Sequence, residues 1–177
     1  MIAEPPQPVL RVAHLPPSLG PVSAVAALPA PTVAVAERYV GMAYIPGQFD
    51  CADFTALVQR EVFGRGMPLP PHADRPQGSA GRRRLIGAMR QEIARPVAVP
   101  EVGAVVLISQ PLQNAVSADQ VLWHIGTLFD HMGQWWMLHN VQDMGGVFLQ
   151  QLDDVKRRSG HVEGYYVCGP LAGAANG

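Results

Sequence analysis

Three residues of this chain combine the types and spacing needed for acyl chemistry: Cys51, His124 and His139. Residues 44–63 read Y-I-P-G-Q-F-D-C-A-D-F-T-A-L-V-Q-R-E-V-F, which sets Cys51 where a Gly-containing turn passes into an amphipathic helix. Backbone N–H groups at a helix N-terminus are unpaired and partly positive, so the position predicts a thiol with a lowered pKa. His124 follows an apolar run in Trp123-His124-Ile125-Gly126, and is the candidate base that takes the thiol proton and returns it to a leaving amine. His139 lies in the next strand-like segment, Leu138-His139-Asn140. A hairpin turning near Gly133 would bring it beside His124, where an imidazole can fix the tautomer and orientation of the base.

These residue types also have less reactive roles. A lone cysteine is often buried filler, but Asp50 before Cys51, the helix after it and the Pro46-Gly47 turn beside it favour a nucleophile. Cys168 lies near a strand end with no helix start behind it, and is assigned a structural place. His131 falls in the expected turn, and His14, His72 and His161 stand in loop-like surroundings without an assigned role. His124, His131, His139 and Cys51 could form a zinc set. The chain has neither H-E-x-x-H nor C-x-x-C, and no Gly-rich loop ending in Gly-Lys-Ser/Thr, so no metal or cofactor is expected.

The elements that must position these groups follow from periodicity. Residues 1–31 are proline-rich and poor in charge, and read as an extended arm or linker. Thr32 can cap a short helix in which Val33, Ala36, Tyr39 and Val40 share a face. The Cys51 helix carries an apolar stripe of Phe54, Leu57, Val58, Val62 and Phe63, and Gly64 and Gly66 end it. A proline loop leads to a second helix over residues 81–94, stopped before Pro96. Strands are expected over 102–108, 121–129, 134–141 and 146–149, with turns at 130–133 and 143–145. A short helix at 152–158, a last strand at 162–168 and a tail at 169–177 complete the chain. Helices first and a β-meander second predict an α+β fold in a single domain over 32–168.

With 177 residues, 48% apolar, 15% charged and a net charge of −1, the chain is in the globular range. The basic cluster Arg82-Arg83-Arg84 with Arg90 is interleaved with Leu85, Ile86 and Met89, which fits a solvated helix face better than a nucleic-acid surface. Two cysteines are too few for a disulfide scaffold. Residues 22–35 are apolar but lack a basic start and are interrupted by Pro29 and Pro31, so neither a signal peptide nor a membrane span is expected.

Taken together, these residues resemble the NlpC/P60 family of cell-wall cysteine peptidases. The counterparts are Tyr44, Gly47, Asp50-Cys51-Ala52-Asp53, Pro100-Glu101-Val102-Gly103-Ala104-Val105-Val106, His124-Ile125-Gly126 and His139, in the family's order and over residues 36–166. The resemblance implies a reduced papain-like α+β fold with N-terminal helices packed on an antiparallel β-meander. It implies Cys51 as nucleophile, His124 as base and His139 as orienting residue, with Tyr44 bordering the oxyanion site. In the family, Asp50 and the residue after the cysteine help bind the free amine of a peptidoglycan stem peptide. Here Ala52-Asp53 replaces the family's Ser-Gly. That variant, with the Gly-Val-Phe and Glu-Gly-Tyr-Tyr stretches, is similar to the branch found in phage and prophage tail proteins. The implied reaction is hydrolysis of a stem-peptide amide through a thioester. The alternatives are a thiol amidase or acyltransferase of the same fold, or an inactive wall-binding or tail-structural module. Such a protein is expected to be made in the cytoplasm and to act at the cell envelope, carried by a tail through its arm or exported by a non-standard route.

Overall fold

In the computed structural model, residues 30–76, 78–111 and 121–169 are described. All but the last two residues of the expected arm, and all but the first of the expected tail, lie outside them. Six strands form one antiparallel sheet: β1 (Ala94–Val97), β2 (Val105–Pro111), β3 (Val121–His131), β4 (Gln134–Val141), β5 (Gly146–Gln151) and β6 (His161–Cys168). Their order is β1-β6-β2-β3-β4-β5. The expected meander is present from β2 to β5, but β6 returns along β2, and β1 extends the sheet on the far side of β6.

Strand β1 corrects the sequence reading, which ran a helix through Ala94. The helix stops at Glu92, and Pro96 sits in the edge strand opposite Tyr166. Proline ends a helix but tolerates an edge, where its missing N–H need face no partner. The β3–β4 turn is tighter than expected, since pairing continues to His131–Gln134. Met132 and Gly133 alone make the corner, with φ of 54° and 78°, the left-handed pair that matches the twist of a two-residue hairpin.

Helices α1 (Val33–Glu37), α2 (Cys51–Phe63), α3 (Ser79–Glu92) and α4 (Leu152–Ser159) cover the sheet. Helix α2 buries Phe54 and Val58 completely against Phe129, Leu138 and Val147. Burial of each such side chain is worth ~1.5–3 kcal/mol, enough to hold the helix firmly on β3 and β4. On the opposite face, Leu152 and Val155 of α4 pack on Val106, Ile108, Leu128 and Met137. Gly64 ends α2 with φ of 61°, as its sequence position suggested. Thr32 stands at the N-cap of α1 but makes no side-chain cap; only its carbonyl accepts, from Val35 and Ala36. Among the described residues, no helix is long and apolar enough to cross a membrane.

Candidate active site

The start of α2 is fixed from both sides. Asp50 caps it, its Oδ1 accepting from Ala52 N at 2.8 Å and Asp53 N at 3.2 Å, while Asp53 Oδ2 accepts in return from Asp50 N at 3.0 Å. Such a reciprocal cap stabilises a helix start by about 1 kcal/mol and leaves little freedom to the two residues between its ends, Cys51 and Ala52. Farther along the helix, buried Gln59 donates to Gly103 O at 3.0 Å and to Thr127 Oγ1 at 3.2 Å, tying α2 to β3 and to the turn before β2. Asn140 on β4 donates to Phe49 O at 3.3 Å, which anchors the turn leading into Asp50.

The two histidines meet. His124 Nε2 lies 2.7 Å from His139 Nδ1, and His139 Nε2 lies 3.0 Å from Gln150 Oε1. Register explains the contact. The β3–β4 ladder pairs Thr127 with Leu138, so one step on, Gly126 faces His139 and His124 is its diagonal neighbour. Glycine is required there: a Cβ on Gly126 would lie 2.7 Å from Leu138 O and 2.9 Å from His139 Cβ. On β5, Phe148 pairs with His139, and Gln150 is two residues on, on the same side. The row His124, His139, Gln150 therefore runs diagonally across three strands.

Cys51 approaches this row through the sheet edge. Leu128 N donates to Ala104 O on β2, so the amides at alternate positions, including Ile125, point toward β4. Ladder pairing with β4 reaches only Thr127, which leaves the Ile125 amide open on that side. The sulfur takes it: the N–H groups of Ile125, Cys51 and Ala52 all act on the thiol and lower its pKa. Burial, and then the Asp50 carboxylate, act the other way and prevail, pushing the thiol up to about 11. This corrects the sequence expectation of a lowered pKa, because desolvation of the half-buried thiol and the adjacent Asp50 carboxylate together outweigh the N–H groups of the helix terminus. Burial likewise lowers His124 to about 3, helped by His139, and His139 to about 4. At neutral pH the resting site therefore holds a neutral thiol and two neutral imidazoles. Among the described residues, no hydrogen bond joins Cys51 to either ring. Cys51 packs against the cluster that contains Leu107 and Ile125, while strand alternation puts His124 and His139 on the side of Leu128 and Met137.

Tyr44 also lies near the thiol. Burial raises its pKa, and the charges of Cys51 and Asp50 add to the shift. Its hydroxyl donates to Gln142 Oε1 at 3.4 Å, across the turn between β4 and β5. Asp50 is engaged internally on both oxygens, Oδ1 by the helix cap and Oδ2 by Arg75 Nη1 at 3.1 Å. Sequence reasoning passed over this partner. Arg75 also grips Asp53, with Nη2 to Oδ1 at 2.5 Å and Nη1 to Oδ2 at 3.1 Å, and His72 Nε2 stands 2.7 Å from Asp53 Oδ2. Burial pushes the Asp53 carboxyl up, but Arg75, with the Asp50 amide and His72, holds it well below the usual carboxylate range. The signal that could have revealed this was Asp53 itself, an acid placed to meet a loop cation.

Among the described residues, Asp50, Asp53 and His72 are the group whose ligand atoms lie within 4.8 Å of one another. Arg75 already supplies their counter-charge. The zinc set weighed from sequence does not assemble, since His131 is exposed at the hairpin end of β3 and has the opposite strand parity to His124. A surface hollow of about 430 Å³ lined by Pro31, Arg38, Tyr39 and Glu61 lies apart from Cys51, Tyr44 and the two histidines, none of which lines it. Comparison with family models, curated proteins and solved structures found no match.

Proposed function

We propose that this chain is a thiol hydrolase with a reduced papain-like fold, cleaving amide bonds in peptidoglycan stem peptides through a thioester on Cys51. The observation that carries the reading is the His124–His139 contact at 2.7 Å, one residue away from the amide that holds the Cys51 sulfur. His139 occupies Nε2 of His124, so Nδ1 is the nitrogen left to act on the thiol. Because thiol and imidazole both rest neutral, the proton moves as the bond forms. Nδ1 takes the S–H proton while sulfur attacks the carbonyl carbon, and the resulting imidazolium gives that proton to the departing amine. Water, deprotonated by the same nitrogen, then releases the acid and restores the thiol. Cys51 and His124 make no hydrogen bond here and pack on different sides of β3, so this step requires the sulfur and Nδ1 to come together at the open strand edge beside the Ile125 amide when substrate binds. The tail-associated role and the use of the arm as a docking segment are part of this proposal and rest on the sequence resemblance.

A second reading has its own support. A thiol at about 11 with no bond to a base suits a wall-binding or tail-structural module that keeps the fold without turnover. Purified muropeptides separate the two. Wild-type protein is expected to release new amine and carboxylate termini, and Cys51→Ala to abolish release while remaining folded. His124→Ala should lose more activity than His139→Ala, because proton transfer contributes more than orientation. Binding without cleavage by wild type would establish the module, and digestion by Cys51→Ala would remove the thiol mechanism.

A further inference from the structure

We infer that Gln150 is a positioning residue that sets the tautomers of both histidines and so makes Nδ1 of His124 a base. The inference rests on the hydrolase reading for its purpose, but not for its chemistry. A side-chain amide oxygen can only accept, so the contact of Gln150 Oε1 with His139 Nε2 at 3.0 Å requires the proton to be on that nitrogen. A neutral imidazole carries one N–H, so Nδ1 of His139 is then bare and must accept. Its partner at 2.7 Å is His124 Nε2, which must donate. With its one proton at Nε2, His124 presents a lone pair at Nδ1. If the amide were reversed, with its NH2 toward His139, every assignment would invert and His124 would carry its proton on Nδ1, unable to accept from a thiol. The orientation of one amide on β5 thus decides whether a ring two strands away can work.

The diagonal geometry makes this relay a property of register. Gln150 is paired with Met137 and His139 with Phe148, so amide and ring meet as diagonal neighbours on one side of the sheet. Burial keeps both rings neutral at working pH, which the one-proton argument needs. The amide itself is uncharged, so it orients His139 without drawing a second proton onto it, as a carboxylate in its place would.

Two-bond 1H–15N correlation spectra of the full chain, labelled with 15N-histidine and recorded at neutral pH, test the relay directly. Wild type is expected to show His124 and His139 both protonated at Nε2, their signals assigned from single His→Gln variants. Gln150→Met is expected to replace the fixed patterns by exchange-averaged ones. On muropeptides it should lower kcat roughly tenfold, the kinetic equivalent of one hydrogen bond, with KM little changed. A proton on Nδ1 of either ring in wild type overturns the relay, as does a folded Gln150→Met protein with unaltered tautomers. If Gln150→Met does not fold, the wild-type spectrum decides alone. Correct tautomers in a protein without turnover support the relay and count against the hydrolase; turnover with reversed tautomers does the opposite.

Discussion

The charge state of Cys51 is a contest between four groups that act on one sulfur. Three N–H groups favour thiolate, while burial and the neighbouring Asp50 carboxylate favour thiol and prevail. Asp50 is the group open to experiment, because asparagine keeps the capping oxygen and is as good an N-cap as aspartate. Asp50→Asn should raise the rate of Cys51 alkylation by iodoacetamide at pH 8 several-fold, while thermal stability changes by no more than about 1 kcal/mol. An unchanged rate would mean that burial alone holds the proton on sulfur. Cys51, His124 and His139 were legible in the sequence because their side chains carry reactivity and few other residues could replace them. Gln150 and Arg75 were not. An amide and a guanidinium acquire roles here only from the atoms they meet, and nothing in Q-Q at the end of a strand or R in a proline loop says which atoms those are.

At the scale of elements, the site depends on how closely β3 and β4 approach at one end and separate at the other. The α2 helix, the four-strand meander and the short α4 helix could be read from hydrophobic period and turn residues, and the structure places them within a few residues of expectation. The β1 edge strand was hidden because Pro96 reads as a breaker, and the return of β6 to β2 was hidden because pairing between distant strands leaves no local pattern. Gly126 was legible only as a strand glycine, yet it determines whether the rings meet. Gly126→Ala would place a methyl 2.7 Å from the Leu138 carbonyl and from Met137 Cε, and a backbone oxygen cannot swing aside. The expected cost is ~1–3 kcal/mol, read as a lower unfolding midpoint in urea. Gly87→Ala is the matched control: it sits within α3 with nothing inside 4 Å, and should be neutral or stabilising by about 0.5–1 kcal/mol. Equal effects from both would show that the β3–β4 approach is not tight.

For the whole molecule, the same buried groups link folding to pH on both sides of neutrality. His124 and His139 titrate near 6.5 when unfolded but at about 3 and about 4 in the folded chain. As pH falls below 6.5, the unfolded chain binds protons that the folded one refuses, so stability is full above that value and declines through the acid range. Asp53 extends the loss at lower pH. Its folded pKa lies below the ordinary 3.8, so protons again favour the unfolded chain, which gives up no contact with Arg75. Cys51 acts at the other end. Its folded pKa of about 11 exceeds the ordinary 9.0, so above pH 9 the unfolded chain releases a proton that the folded one retains, and stability declines again. Urea denaturation across pH should therefore give a plateau between about 6.5 and 9, with a fall on each side. Cys51→Ala should make the alkaline limb shallower, leaving the part that buried Cys168, also raised by burial, contributes, and should leave the acid limb unchanged. His124→Gln with His139→Gln should reduce the slope between pH 6.5 and 4 and leave the alkaline limb. An acid limb unaltered in that double variant would mean that the imidazole pair is wet enough to take up protons without unfolding, and the neutral-ring mechanism would lose its basis.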